Sequence, residues 1–313
     1  MWADTPSVCL RRIRETMRAH GIEDADSTAR LMITRVLKIP MAQDLSQTEP
    51  IKPSQAQMLA QCLARRLKGE PIQYILGEAD FYGLTFCVTP SVLIPRMDTE
   101  TLVLKALENA PRQGKVLDVC TGSGCIALAI KHERPDCEVQ ATDISAEALK
   151  VAKDNGQRLG LDVGWHCGDL CAPVKTQQFD VIVSNPPYIS ETEYRQLSPL
   201  VREYEPPLAL LAGAKGLDVY ERLIMQADDC LKVGGWLGLE IGSTQAQDVM
   251  RLLRQAGLKE IGMKEDLSGL CMAGKDENDD RPVTNHRGSV SGIEPFDCAA
   301  GNDERYGGMA QAC

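Results

Sequence analysis

Long apolar runs, paired cysteines, histidines and net positive charge are all missing or scarce in this chain. No stretch approaches the roughly 18 consecutive apolar residues that a membrane-spanning helix needs, so no membrane span is expected. The opening residues, Met1-Trp-Ala-Asp-Thr-Pro6, hold no apolar signal region. Arg11, Arg12 and Arg14 hint at a transit peptide, but Asp4 and Glu15 argue against one. The 12 cysteines are scattered without a Cys-x-x-Cys, and only 4 histidines accompany them. Neither Cys120/Cys125 nor Cys167/Cys171 has metal-ligand spacing, so they read as reduced thiols of a cytoplasmic protein with no metal. A net charge of −10 disfavours a broad, sequence-independent grip on nucleic acid.

What is present is enough apolar material, 43% of 313 residues, for two domains. Residues 1–70 read as a small helical bundle. Leu10, Ile13 and Met17, then Ala29, Ile33, Val36 and Leu37, recur near helical spacing, and Met58, Leu59, Cys62, Leu63 and Leu67 line a third helix that Gly69 stops. Residues 71–95 hold strand formers from Phe81 to Val88 around Gly83, which predicts a linking β-hairpin. Arg96 and Glu100 follow, either near a site or as a surface ion pair. From 96 to 274 strands and helices alternate: strands at 116–120, 138–143, 163–167, 179–184, 235–241 and 258–264, with helices between them. Such alternation predicts an α/β domain with a parallel sheet covered on both faces. Residues 275–313 carry eight acidic and four basic residues with little periodicity, the composition of a disordered acidic tail.

Chemistry concentrates where strand Phe179–Ser184 runs into Asn185-Pro186-Pro187-Tyr188. Two successive prolines donate no N–H, so the chain leaves the sheet in a rigid, extended turn. A carboxamide oxygen (Asn185) and a backbone carbonyl (Pro186) together can accept both hydrogens of a planar –NH2 group. That steers its delocalised lone pair toward an electrophile and stabilises the charge that develops. Pro187 stiffens the turn, and Tyr188 offers a flat apolar face. The plainer alternative is a turn whose asparagine only caps it.

A second motif completes the picture. Strand 116–120 is followed by Thr121-Gly122-Ser123-Gly124 and a helix, and Asp143 ends the next strand, where a carboxylate can accept two ribose hydroxyls. This pair alone fits NAD as well as S-adenosylmethionine. The Asn185 turn lies on the same rim of the sheet, and no tyrosine–lysine pair suits hydride transfer, so a methyl donor is the better fit.

The sequence resembles the PrmC/HemK-type peptide chain release factor glutamine-N5 methyltransferases. The resemblance rests on Pro71-Ile-Gln-Tyr-Ile-Leu-Gly77, Phe81-Tyr-Gly83, Leu93-Ile-Pro-Arg96 with Asp98-Thr-Glu100, Leu117-Asp-Val-Cys-Thr-Gly-Ser-Gly124, Val183-Ser-Asn-Pro-Pro-Tyr-Ile189, Glu205-Pro206, Ala209-Leu210 and Gly216-Leu217-Asp218 with Tyr220. It implies a class I, Rossmann-like, seven-stranded methyltransferase domain behind a helical domain that helps hold the release factor. The implied substrate is the glutamine of a Gly-Gly-Gln loop. Apart from the resemblance, the chain is expected to act as a monomer. By the same resemblance Cys120, Thr121, Gly122, Ser123, Gly124, Asp143, Leu170 and Asn185 contact S-adenosylmethionine, while Asn185 through Tyr188 hold the glutamine amide.

The chain departs from that pattern in four places. Cys120 stands where the loop's first glycine is usual, tolerable at a strand end if φ is negative. Met97 replaces a proline, Leu170 an aromatic residue, and Leu270-Cys-Met-Ala-Gly274 is a poor substitute for a valine-rich last strand. Two other functions compete: methylation of an adenine N6 amine, which also uses Asn-Pro-Pro-Tyr but calls for a basic surface, and a non-catalytic release-factor-binding homologue.

Overall fold

A computed structural model describes residues 4–46 and 49–264, together with the backbone of 270–274. Three amphipathic helices open the chain: α1 (Pro6–Ala19), α2 (Ala25–Leu37) and α3 (Pro53–Arg66). Their apolar stripes meet in one cluster that includes Cys9, Ile13, Met17, Met32, Ile33 and Leu59. A fourth helix, α4 (Ile72–Leu76), lies where the sequence predicts only a linker. Ile72 and Ile75 add to the cluster, and Gly77 ends the helix at φ 75°.

The hairpin is present as β1 (Glu78–Phe81) and β2 (Leu84–Cys87). Its two-residue turn puts Tyr82 and Gly83 at φ 49° and 73°, the handedness that matches strand twist. Arg35 of α2 holds Glu78 at 3.1 Å and Asp80 at 2.6 Å, tying bundle to hairpin.

Beyond it come α5 (Glu100–Asn109), β3 (Lys115–Val119), α6 (Cys125–Glu133), β4 (Glu138–Asp143), α7 (Ala146–Leu159), β5 (Gly164–Cys167) and β6 (Phe179–Ser184). Two short helices, α8 (Glu191–Gln196) and α9 (Pro199–Arg202), precede α10 (Asp218–Cys230), β7 (Leu231–Glu240), α11 (Ala246–Gln255), β8 (Lys259–Lys264) and β9 (Leu270–Gly274). The strands form one sheet in the order β5-β4-β3-β6-β7-β9-β8, of which β5 through β7 run parallel. Alternate residues serve opposite faces. Leu117, Val119 and Ile182 join one core with α10 and α11, while Val116, Val181 and Val183 join another with α5 and α6. The α/β class with a central parallel sheet is therefore present as the alternation predicts.

One expectation needs correction. Leu270–Gly274, a poor strand by composition, pairs antiparallel with both β7 and β8. Ladder hydrogen bonds use the backbone, so five extended residues without proline suffice. The acidic stretch 275–313 lies outside the described residues. Among the described residues no helix is long and apolar enough to cross a membrane.

Candidate active site

The chain reverses direction along the sheet between β3 and β6, the switch point where doubly wound sheets bind ligands. A cavity of about 300 Å³ opens there. Cys120, Thr121, Gly122 and Ser123 from the turn after β3, Asp143 from the end of β4, and Asn185 and Pro187 after β6 all line it. Gly124, Leu170, Pro186 and Tyr188 do not. Gly124 caps α6 at φ 82° and packs so tightly that a Cβ would lie 3.0 Å from Trp165. Leu170 belongs to the core beside Val119. Pro186 is buried, and Tyr188 faces a neighbouring depression with Gly242 and Gln245. Burial raises the Tyr188 phenol to about 12, so it stays neutral.

The turn after β3 is built from internal hydrogen bonds. Thr121 N–H donates to Thr142 at 3.0 Å, extending the ladder one step, and Gly124 N–H closes the turn on Thr121 at 2.9 Å. Beneath it Asp118 is fully buried, with Oδ2 accepting Thr121 Oγ1 at 2.6 Å and Ala127 N–H at 3.2 Å. Its Oδ1 has no partner, and burial lifts the carboxyl to about 7. Cys120 sits at φ 61°, opposite in sign to the strand-end geometry that would tolerate its Cβ. Gly122, also left-handed at φ 55°, suits its position.

Asp143 closes the far side. Its Oδ2 accepts Gly122 N–H and its Oδ1 accepts Ser145 N–H, each at 2.8 Å. Burial raises this carboxyl, and those backbone donors oppose the rise. Each oxygen keeps a lone pair, so two adjacent hydroxyls can be received together. Ile126 and Ile144 supply apolar wall for a flat ring, with Ile144 56% exposed at the rim. A nucleoside with a vicinal diol fits this donor set and cavity.

The Asn185 turn is held from outside the cavity. Gln245 Nε2 donates to the Tyr188 carbonyl at 2.9 Å, and Ile189 bridges to Leu211. Gly216 makes the approach possible: a Cβ there would stand 2.3 Å from the Tyr188 carbonyl. Asn185 Nδ2 reaches Thr99 Oγ1 at 3.2 Å, and Thr99 Oγ1 donates to Glu240 at 2.6 Å. Glu240 is not among the residues the sequence singled out, and Thr99 figures there only as the middle of Asp98-Thr-Glu100, without a role. A lone carboxylate ending the apolar strand Gly235–Ile241 was the available signal. Arg96 borders the cavity but pairs with buried Glu205, whereas Glu100 accepts Tyr82 N–H at 2.7 Å. Met97, standing where the resembling pattern has proline, is 80% exposed at the start of a short 3-10 turn, Met97–Thr99. Among the described residues no cluster could hold a metal.

Comparison with known proteins identifies related chains. The methyltransferase small domain model matches residues 84–203, and the PrmC N-terminal domain model matches 9–77. A release factor glutamine methyltransferase of Geobacter sulfurreducens is 39% identical over 266 residues, covering 83% of this chain and 94% of the relative. Its counterpart in Koribacter versatilis is 46% identical over 197 residues, covering 62% and 70%. Among solved structures, the hMettl16 catalytic domain in complex with MAT2A 3'UTR hairpin 1 superposes with a TM-score of 0.52 at 14% identity, covering 76% of this chain and 86% of that one. That last likeness speaks for the fold alone.

Proposed function

The chain belongs to the release factor glutamine methyltransferase family, and from that premise we propose that Asn185 and Pro186 present the side-chain amide nitrogen of a release-factor glutamine to S-adenosylmethionine held by Cys120–Ser123 and Asp143. The protein is an S-adenosylmethionine-dependent protein glutamine methyltransferase. The observation that carries the residue assignment is that Asn185 and Asp143 line one cavity together with the turn after β3.

Asp143 would receive the two ribose hydroxyls, and Ile126 and Ile144 would flank the base. When bound, the cofactor supplies an electrophilic methyl, so the amide nitrogen that takes it gives up one proton. The chain's own residues do the rest. Asn185 Oδ1 and the Pro186 carbonyl accept the amide hydrogens, turning the nitrogen lone pair out of conjugation and toward the cavity. The Pro187 ring stiffens that grip, with Tyr188 packed behind it. The cavity's partial closure lowers the local dielectric, which strengthens each of these contacts.

The finer organisation belongs to the same proposal. Residues 1–70 dock the release factor, 71–95 link, 96–274 form a seven-stranded catalytic domain and 275–313 are a tail. The separate apolar cluster of α1 to α4 and the antiparallel insertion of β9 support this division. Action without nucleic acid accords with the net charge of −10, and a cytoplasmic, monomeric enzyme completes the proposal.

Mass spectrometry of release-factor tryptic peptides after incubation with enzyme and cofactor tests the reading. The Gly-Gly-Gln peptide should gain the mass of one methyl on the glutamine. Asn185→Ala should slow that gain by at least about a hundredfold while the protein stays folded. No gain with the wild-type protein, or a gain only on added nucleic acid, would reject the assignment.

A further inference from the structure

We propose that Thr99 and Glu240 are positioning residues that decide which way round the Asn185 carboxamide sits, so that its oxygen faces the substrate. The inference rests on the methyltransferase reading of the cavity. A carboxamide flipped by half a turn would offer two N–H donors to a substrate amide that itself brings two donors, and the grip would become a repulsion.

Proton counting sets the orientation. The Glu240 carboxylate oxygen is an acceptor, and the Thr99 hydroxyl has a single hydrogen. That hydrogen goes to Glu240 Oε2, at 2.6 Å. Thr99 Oγ1 is then left with lone pairs only, and the Asn185 atom 3.2 Å away must be a donor. Nδ2 therefore faces Thr99, and Oδ1 occupies the other edge of the planar carboxamide. Thr99 borders the cavity but is only 3% exposed, and Glu240 is 4% exposed, so their mutual hydrogen bond is shielded from most solvent. Both are also anchored: Thr99 N–H donates to the Arg96 carbonyl at 3.2 Å, and Tyr220 Oη donates to the Glu240 carbonyl at 2.8 Å. Three segments distant in sequence thus converge on one amide.

Thr99→Val keeps the side-chain shape and removes the hydroxyl. In the full chain it should lower kcat for release-factor glutamine about tenfold or more. Cofactor Kd and the KM for release factor should stay within about twofold. Thr99→Ser, which restores the hydroxyl, should keep kcat within about threefold of wild type. In an Asn185→Ala background Thr99→Val should cost nothing further, because the group it orients is gone. Should valine at 99 prevent folding, Thr99→Cys, a weak donor, is read in the same way. A second readout needs no turnover. In a spectrum of asparagine-labelled protein, the Asn185 side-chain NH2 signal, identified by its loss in Asn185→Ala, should show one proton protected from exchange. Thr99→Val should abolish that protection. Wild-type kcat in Thr99→Val, an equal loss in both backgrounds, or an unchanged NH2 signal would overturn the proposal. A wild-type protein that fails to methylate release factor would overturn the function instead, and the NH2 signal would still decide the orientation.

Discussion

Two residues, one in β3 and one in the turn after it, carry energetic conflicts that composition could not show. Cys120 lies at φ 61°, where a Cβ crowds the following carbonyl. Cys120→Gly and Cys120→Ala both delete the thiol and differ only in that Cβ. The glycine variant should be the more stable by about 1 kcal/mol in denaturant unfolding; equal stabilities would show that the backbone has adjusted. Asp118 poses the reverse problem, a carboxyl with one satisfied oxygen and one orphan. Its folded value is lifted by burial from 3.8 to about 7, so folding favours the neutral form. The stability it contributes is complete below its unfolded value and is lost as pH rises through about 7. Relative to Asp118→Asn, the wild-type protein should therefore lose stability between about pH 4 and 7, at up to about 1.4 kcal/mol per pH unit. Parallel curves in pH-resolved urea melts would refute this. The motif was legible in Thr121-Gly-Ser-Gly124, whereas the sign of φ at 120 depends on how the ladder continues through Thr121, which no residue type announces.

Elements were readable where a local signal sets them and less so where distant contacts do. Ser145 accepts Ala148 N–H at 3.1 Å and opens α7 as its residue type predicts, and Gly83 turns the hairpin. Helices α4, α8 and α9 escaped notice because each is too short to display a period and is held by its surroundings. The hairpin also shows how a site is stiffened from behind. Asn155 of α7, fully buried, accepts Cys87 N–H at 2.7 Å and donates to the Cys87 and Ser123 carbonyls, each at 3.0 Å. One side chain thereby pins β2 and the cofactor turn to the same helix. Its amide looked like an ordinary polar residue within a helical stretch, since its partners lie 68 and 32 positions away. Asn155→Leu strands the buried Ser123 carbonyl and the half-buried Cys87 N–H and carbonyl, and should cost about 2–3 kcal/mol, lowering Tm by several degrees. A loss under about 1 kcal/mol by calorimetry would mean that other partners replace it.

At the scale of the whole molecule, the order of strands separates chemistry from stability. Every residue lining the cavity falls between Ser91 and Ala209, before β7 begins. The far half of the sheet depends on β9. It pairs with β7 over five residues, and β8 joins the sheet only through it. Composition undervalued Leu270–Gly274 because a strand paired on both edges draws on backbone hydrogen bonds that side chains do not advertise. Two truncations distinguish these contributions. A chain ending at residue 275 keeps all of β9 and the whole cavity, so its kcat/KM for release factor should stay within about twofold of wild type. A chain ending at 269 removes β9, leaving β8 without a partner and the β7 edge unpaired. Unpaired edges in a buried sheet cost both hydrogen bonding and the packing of the helix above them, here α11. The shorter chain should unfold at least about 10 °C lower or fail to fold, several kcal/mol being spread over a domain of this size. If instead both truncations melt together with the full chain, β9 is dispensable, and the sheet's stability resides entirely in the five parallel strands that carry the site.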